Sequence, residues 1–113
     1  MPAQEKWLLR FDQLVHKQLE NGQLCNEKLA TEIEISERQL FRKIRQLTGL
    51  SPQKYIRQFR LKLARKYLEK GTYKTVKETS EAIGYTNTSY FISQFEQEFG
   101  KRPLEVLREA GWR

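Results

Sequence analysis

The chain has 113 residues, which is enough for one compact domain with a hydrophobic core. Charged residues make up 31% of it and hydrophobic residues 38%, a balance that argues against wholesale disorder. The net charge of +7 favours a polyanionic partner, and DNA, RNA and an acidic membrane surface all satisfy that condition.

Cysteine and hydropathy patterns narrow the class of protein. Cys25 is the only cysteine, which excludes an internal disulfide, and no Cys/His cluster has zinc-site spacing. We expect no metal and no cofactor, a partly buried thiol at Cys25, and a solvated His16. No run approaches the ~20 apolar residues of a membrane-spanning helix, and the N-terminus lacks a signal-peptide pattern. The default expectation is a cytoplasmic, reduced protein.

The first two predicted elements are helices. Apolar residues recur at helical spacing through residues 4–20, and Asn21-Gly22 ends that segment. Asn26 is predicted to be the N-cap of a short second helix. The side chains of this helix that are expected to face inward are Leu29, Ala30 and Ile33.

The third predicted helix lies in the stretch ISERQLFRKIRQLTGLSP, residues 35–52. Ser36 and Gln39 have the spacing of a capping box at its start, and Gly49 is a stop signal at its end. Only one acid, Glu37, lies within the helix. Its basic residues are Arg38, Arg42, Lys43 and Arg45.

The remaining pattern is also helical. A long helix is predicted over residues 52–70, and Thr75 and Glu78 have capping-box spacing at the start of a short one. A longer helix follows over residues 87–99, and Pro103 begins a last short one. Since no segment reads as a strand, the predicted fold class is all-α.

The chain repeats itself, because a shift of 51 positions superimposes the third helix on residues 87–99. The matched pairs are Leu40 with Phe91, Ile44 with Phe95, Gly49 with Gly100 and Pro52 with Pro103. A short helix and a tight turn precede each copy, the turns being Glu34-Ile35 and Gly84-Tyr85. Each copy is therefore predicted to be a helix-turn-helix in a homeodomain-like three-helix unit. The predicted segments are an N-terminal region (1–22), the first helix-turn-helix (23–50), a linker helix (51–70), and the second helix-turn-helix with a C-terminal helix (71–113).

The outer face of the third helix is the strongest candidate for a binding surface. Leu40, Ile44 and Leu47 share one face, and the arginines share the opposite one. A charged face of this kind is often only solvated, but the second helix of a helix-turn-helix presents its outer face to the DNA major groove. We expect base contacts from Arg38, Phe41 and Arg42, and a phosphate contact from Arg45.

The corresponding helix of the second copy is less basic. It carries Glu96 and Glu98, so its phosphate contacts are expected from Asn87, from backbone N–H groups at its start, or from Lys101 and Arg102. Its contacts to bases are expected from Thr88, Ser89, Ile92 and Ser93. A linker helix of about 19 residues spans ~28 Å, which suits two units entering successive major grooves, one DNA turn of ~34–36 Å apart.

Two segments resemble a known family. They are LATEIEISERQLFRKIRQLTGLSPQKYIRQFRLKLARKYLEKG and VKETSEAIGYTNTSYFISQFEQEFGKRPLEVL, and the second has a Gly-aromatic turn, Ser-Tyr-Phe, and Phe…Glu-Phe-Gly…Pro. Residues 24–108 resemble the C-terminal DNA-binding domain of the AraC/XylS family of bacterial transcription regulators. The resemblance implies two helix-turn-helix subdomains bridged by a long helix that read neighbouring major-groove segments. It implies base contacts at the same positions: Arg38, Phe41, Arg42, Thr88, Ser89, Ile92 and Ser93.

The chain departs from the family pattern in its second unit. Ser93 stands where many members have arginine, and Glu96-Gln97 where a pair of lysines is common. Thr79-Ser80 replaces a usual Ile-Ala. Weaker binding by the second unit is therefore expected.

The resemblance also implies partners. Members usually carry a sensing or dimerisation domain before this one. The sequence of the third helix resembles those of output domains in two-component hybrid sensor kinases and response regulators. A domain cut from a larger regulator is the favoured interpretation, with RNA polymerase as a further candidate partner. The alternative function is a basic protein-interaction module that docks an acidic partner. An enzyme is disfavoured, because no nucleophile-base pair or phosphate-cradling glycine loop is evident.

Overall fold

The chain folds into α-helices, as the sequence predicts. The computed structural model describes residues 2–22 and 24–111, and these ranges contain helices and no strand. The helices are α1 (Ala3–Glu20), α2 (Asn26–Ile33), α3 (Glu37–Thr48), α4 (Pro52–Lys70), α5 (Val76–Ala82), α6 (Thr88–Phe99) and α7 (Pro103–Glu109). Within the same ranges, none of the helices combines the length and the apolar character needed to span a bilayer.

The helices form two compact units, Met1–Arg57 and Gln58–Arg113. The boundary falls inside α4, whereas the sequence-based division treats that helix as a segment of its own. The sequence-based division also treats residues 1–22 as a separate region, whereas in the structure α1 belongs to the first unit. The reason is that α1 and the two ends of α4 each bury apolar residues, and a buried face must belong to a core.

The ends of α3 are fixed by local hydrogen bonds. Ser36 Oγ accepts a hydrogen bond from the Gln39 backbone N–H at 3.1 Å, and Gln39 Oε1 accepts one from the Ser36 N–H at 2.9 Å. This is a complete capping box, as predicted. Gly49 ends the helix at φ 75°, in the left-handed region where a residue without Cβ avoids steric cost.

Two other helix starts differ from the prediction. Cys25, and not Asn26, is the N-cap of α2: its backbone is extended, and its Sγ accepts a hydrogen bond from the Lys28 N–H at 3.4 Å. Cys25 is consequently exposed rather than partly buried, because a capping side chain lies at the open end of its helix. At α5, Thr75 Oγ1 accepts from the Glu78 N–H at 3.0 Å, and only this forward half of the predicted capping box occurs among the contacts of the described residues.

The first unit has a core to which three helices contribute side chains that are at most 1% exposed: Phe11, Val15, Leu29, Leu40 and Ile44. The predicted inward face of α3 is thus confirmed at Leu40 and Ile44, and Leu47 is half-buried.

Aromatic contacts fasten α1 to the start of α4. The rings of Trp7 and Phe11 stack at 5.6 Å, and the Phe11 ring lies 5.9 Å from that of Tyr55. The Tyr55 hydroxyl donates a hydrogen bond to Asp12 Oδ1 at 2.7 Å. Burial, and then the bond to Asp12 and its negative charge, raise the pKa of Tyr55 well above its usual value. This phenol therefore stays protonated and keeps its donor role.

The core of the second unit is a set of buried side chains from α4 to α7: Leu61, Ala64, Leu68, Ile83, Tyr85, Phe91, Phe95, Val106 and Leu107. Thr79 and Ser80 are also fully buried, at the positions where the first unit has Leu29 and Ala30. Thr79 Oγ1 donates to the Thr75 carbonyl at 3.0 Å, whereas Ser80 Oγ has no partner among the described residues. A buried polar group without a partner is costly. Ser80 therefore lowers the stability of the second unit, and Gln18, whose Oε1 is also without a partner among the described residues, does the same in the first.

The internal repeat is confirmed in the two turns. The Ile35 N–H bonds to the Ala30 carbonyl at 3.0 Å, and the Tyr85 N–H bonds to the Ser80 carbonyl at 3.0 Å. These turns are related by a shift of 50, one less than the shift between α3 and α6. The second turn is therefore one residue longer, and the additional residue is Thr86.

Candidate nucleic-acid interface

The outer face of α3 is exposed and basic. Arg38, Phe41, Arg42 and Arg45 are all exposed, whereas Leu40 and Ile44 on the opposite side are buried. The four exposed residues, together with Glu37 and Gln46, line one shallow concavity. Phe41 is 48% exposed, so its ring presents apolar area within the concavity that the arginines also line. The structure thus brings together every site residue that the sequence predicts on this helix.

The three arginines of this face are electrostatically available. Among the described residues, none of them lies within ion-pair distance of an acid. Lys43, the fourth basic residue, lies instead on the inner flank, with Nζ 5.6 Å from the ring centroid of Trp7. A planar guanidinium can bond bidentately to guanine or to phosphate, and a ring can pack on a thymine methyl group. The face therefore has the chemistry for reading base edges.

The α6 face has Ser89, Ser93 and Glu96 at the positions of the three α3 arginines. Asn87 is the N-cap and accepts a hydrogen bond from the Tyr90 N–H at 3.0 Å, so its side-chain oxygen is already used. Ser89 and Ser93 are exposed and Thr88 is half-buried. Ile92, which corresponds to Phe41, packs partly against the core of its unit. Ser89 and Ser93 therefore offer two exposed hydroxyls, whereas Ile92 is partly buried.

Acids lie beside Lys101 and Arg102, the two cations directly after the end of α6. Arg102 Nε lies 3.6 Å from Glu96 Oε2, and Lys101 Nζ lies 2.8 Å from Glu109 Oε2. All four side chains are at least 46% exposed, so each pair is worth only ~0–1 kcal/mol and a phosphate can displace it. As they stand, the predicted phosphate anchors of the second unit are partly neutralised.

Two residues on these faces were not predicted. Tyr90 is 53% exposed at the third position of α6, and Gln46 lines the α3 concavity. The internal repeat could have predicted the exposure of Tyr90, because the shift of 51 matches Tyr90 with Gln39 in the exposed first turn of α3. Gln46 follows Arg42 by four residues and so shares its side of the helix.

These observations define a class of protein. A short helix, a tight turn and a capped second helix with an exposed, acid-poor outer face make a helix-turn-helix nucleic-acid-binding domain. The model of a family described as "Helix-turn-helix domain" matches residues 29–109. The chain belongs to this family, in its AraC type, which comprises DNA-binding domains of transcription regulators and not enzymes.

Curated relatives support the assignment. The transcriptional activator RhaS of Klebsiella pneumoniae is 31% identical over 84 residues, which are 74% of this chain and 30% of that protein. RhaS of Salmonella arizonae is 32% identical over the same extent. The chain thus spans about a third of the length of the curated relatives it matches.

Solved structures agree in fold. An AraC-type regulator from Chromobacterium violaceum has a TM-score of 0.83 at 27% identity, covering 94% of this chain and 93% of that one. The C-terminal domain of AraT, a response regulator from Geobacillus stearothermophilus, has a TM-score of 0.73 at 26% identity, covering 88% and 82%. A transcriptional dual regulator from Escherichia coli has a TM-score of 0.80 and covers 100% of this chain and 96% of that one. Because the two chains are only 20% identical, this similarity shows the fold alone.

Proposed function

We propose that this chain is the double-stranded-DNA-binding domain of a bacterial transcription regulator, and that Arg38, Phe41 and Arg42 read bases while Arg45 bonds a phosphate. The observation that carries the proposal is the outer face of α3. Its three arginines are exposed and have no acid within ion-pair distance among the described residues. They are held by a capped, well-packed helix, so the backbone that carries them does not have to become ordered on binding.

Position along α3 supports the division of roles. A recognition helix inserts its N-terminal part into the major groove. Arg38 and Arg42 lie in the first half of Glu37–Thr48, and Arg45 lies in the second half. A side chain near the end of the helix is expected to leave the groove and meet the backbone, where arginine contacts carry no sequence information.

The second unit contributes less in this proposal. Asn87, Thr88, Ser89, Ile92 and Ser93 make modest contacts in the neighbouring major groove, and affinity comes mainly from the first unit, because phosphate charge dominates affinity. The acids that engage Lys101 and Arg102 support this asymmetry.

The partners follow from the relatives. Since the curated relatives are about three times as long as the aligned part of this chain, we propose that a sensing or receiver domain acts together with it. The similarity to the C-terminal domain of a response regulator favours a receiver domain. RNA polymerase is the expected partner at a promoter, and the cytoplasm, where bacterial DNA lies, is the expected location.

Selection of binding sites from random duplexes, with competitor DNA present, tests the proposal. A consensus should emerge, and a footprint over it should be strong in one half and faint in the other. Ser93→Arg should extend the footprint without altering the strong half. If selection yields no consensus, the sequence-specific function fails. If alanine at Ser89 and Ser93 costs as much as alanine at Arg38 and Arg42, the asymmetry fails.

A further inference from the structure

A second basic concavity lies in the first unit, at the corner where α3 passes into α4. Its charged lining residues are Arg45, Lys54 and Arg57, and its uncharged lining includes Ser51 and Gln53. Among the described residues no acid lines it, and the first turn of α4 contains none. We propose that this corner is a binding subsite for one phosphodiester group of the DNA backbone, and that Lys54 and Arg57 are phosphate-binding residues. The inference rests on the proposed DNA-binding function.

The three cations are arranged for an external anion. Among residues 2–22 and 24–111, no carboxylate lies within ion-pair distance of any of them. Three positive groups that converge without a counter-ion repel one another, and a bound phosphate relieves that repulsion. Arg45 lines both this corner and the concavity of the α3 outer face. The phosphate subsite is therefore continuous with the surface proposed to enter the groove.

The backbone at the start of α4 adds a donor. Ser51 Oγ caps the Lys54 N–H at 3.2 Å, and the Ser51 carbonyl accepts from the Tyr55 N–H at 2.9 Å. Pro52 has no N–H. This leaves the Gln53 N–H as a first-turn donor with no hydrogen-bond partner among the described residues. It supports the side-chain cluster, since the positive end of the helix dipole favours an anion there.

The second unit provides an internal control for this inference. The same shift of 51 matches Arg45 with Glu96 and Lys54 with Glu105, whereas Arg57 is matched with another arginine, Arg108. Both corners keep the features that the fold needs, which are a left-handed glycine and a buried proline, Gly49-Pro52 in one and Gly100-Pro103 in the other. Because the second corner folds with acids at the positions of Arg45 and Lys54, these two cations are not required for folding. A binding role accounts for them.

The test measures how DNA affinity depends on the corner cations. Lys54→Gln and Arg57→Gln are compared with Lys17→Gln and Arg10→Gln, which remove matching charges from exposed positions on α1. Fluorescence anisotropy follows binding of a selected duplex and a scrambled duplex over a series of KCl concentrations. Each corner variant should lose roughly fivefold in affinity for both duplexes, the factor that one contact between unit charges at ~4 Å contributes in water. The slope of log affinity against log salt should fall by ~0.9 for each lost contact.

A methylphosphonate scan then locates the contact. Neutralising one backbone linkage at a time should reveal a linkage whose replacement weakens the wild-type chain but leaves Lys54→Gln unaffected, because the contact is already lost. Inorganic phosphate at matched ionic strength should not displace the duplex any better than chloride does. If phosphate displaces the duplex better than chloride and Lys54→Gln abolishes this difference, the site binds free phosphate and the proposal is overturned.

The remaining outcomes separate this inference from the proposed function. If the corner variants and the α1 controls lose affinity equally, only net charge matters and the subsite does not exist, while discrimination through Arg38 and Arg42 remains intact. If the wild-type chain shows no sequence preference, the proposed function fails instead. Thermal unfolding of Lys54→Gln should match that of the wild type, and a variant Lys54→Glu, which copies the second corner, should fold and bind still more weakly.

Discussion

Replacing Glu96 by glutamine should strengthen DNA binding through the second unit. Glu96 Oε2 lies 3.6 Å from Arg102 Nε, and the two side chains are 52% and 69% exposed. Such an exposed pair contributes only ~0.2–1 kcal/mol to the free energy of unfolding. Glu96→Gln should therefore unfold at nearly the wild-type denaturant concentration. It removes one negative charge from the α6 surface and releases one guanidinium.

The gain in affinity can be bounded from these charges. One contact between unit charges at ~4 Å is worth ~1 kcal/mol in water, or roughly fivefold. If Arg102 then reaches a phosphate and the repulsion of Glu96 is also lost, the gain is about fivefold to 25-fold at low salt. The slope of log affinity against log salt should steepen by ~0.9. Anisotropy titrations of the selected duplex over a KCl series measure both quantities.

Glu98→Gln is the matched control. Glu98 is exposed on the same helix and has no ion-pair partner among the described residues, so its replacement changes the net charge identically without releasing an arginine. Equal gains for the two variants would show that only net charge matters. An unchanged affinity for Glu96→Gln would refute the idea that the acid withholds Arg102 from DNA.

Other expected outcomes concern the first unit. Arg42→Ala should weaken binding to the selected duplex by ~1–3 kcal/mol and to scrambled DNA far less, since it loses a bidentate base contact; equal losses would reassign it to the backbone. Arg45→Gln should weaken binding to both duplexes and lower the salt slope by about one, and a shift in base preference instead would contradict its role as an anchor. Tyr55→Phe should lower the free energy of unfolding in urea by ~0.5–1.5 kcal/mol, because it loses the bond to Asp12. Since the pKa of Tyr55 is raised in the folded state, the contribution of Tyr55 to the free energy of unfolding is complete below pH ~10. It declines at higher pH, where the unfolded phenol ionises first. A difference in stability between wild type and Tyr55→Phe that grows above that pH would contradict the assignment. Ser36→Ala should cost about 1 kcal/mol, because α3 loses its capping box, and an unchanged denaturation midpoint would argue against it.

Helix positions could be predicted because their determinants are local. The side chains of Ser36 and Gln39 complete each other's hydrogen bonds within a single turn. Glycine at the end of α3 and again at the end of α6 adopts the left-handed conformation that few other residues tolerate. Where the local signal was ambiguous, the prediction was wrong by one residue: Cys25 and Asn26 are adjacent, and asparagine is the commoner cap.

The outward direction of the α3 arginines also followed from sequence. Leu40 and Ile44 lie four residues apart and must be buried for the helix to pack. Helical geometry then places Arg38, Arg42 and Arg45 on the opposite side. The repeat of the same pair as Phe91 and Phe95 predicted a second unit without reference to any contact.

Only the tertiary structure decided which charged groups are available. Lys43 lies over the Trp7 ring at 5.6 Å, and Arg102 lies beside Glu96 at 3.6 Å. The hydrogen bond from Tyr55 to Asp12 joins residues 43 positions apart. Long side chains on flexible stems can reach several neighbours, and those neighbours are set by how helices pack and not by spacing along one helix. The sequence therefore determined where the cations lie on their helices, and packing determined which of them remain free to meet a phosphate.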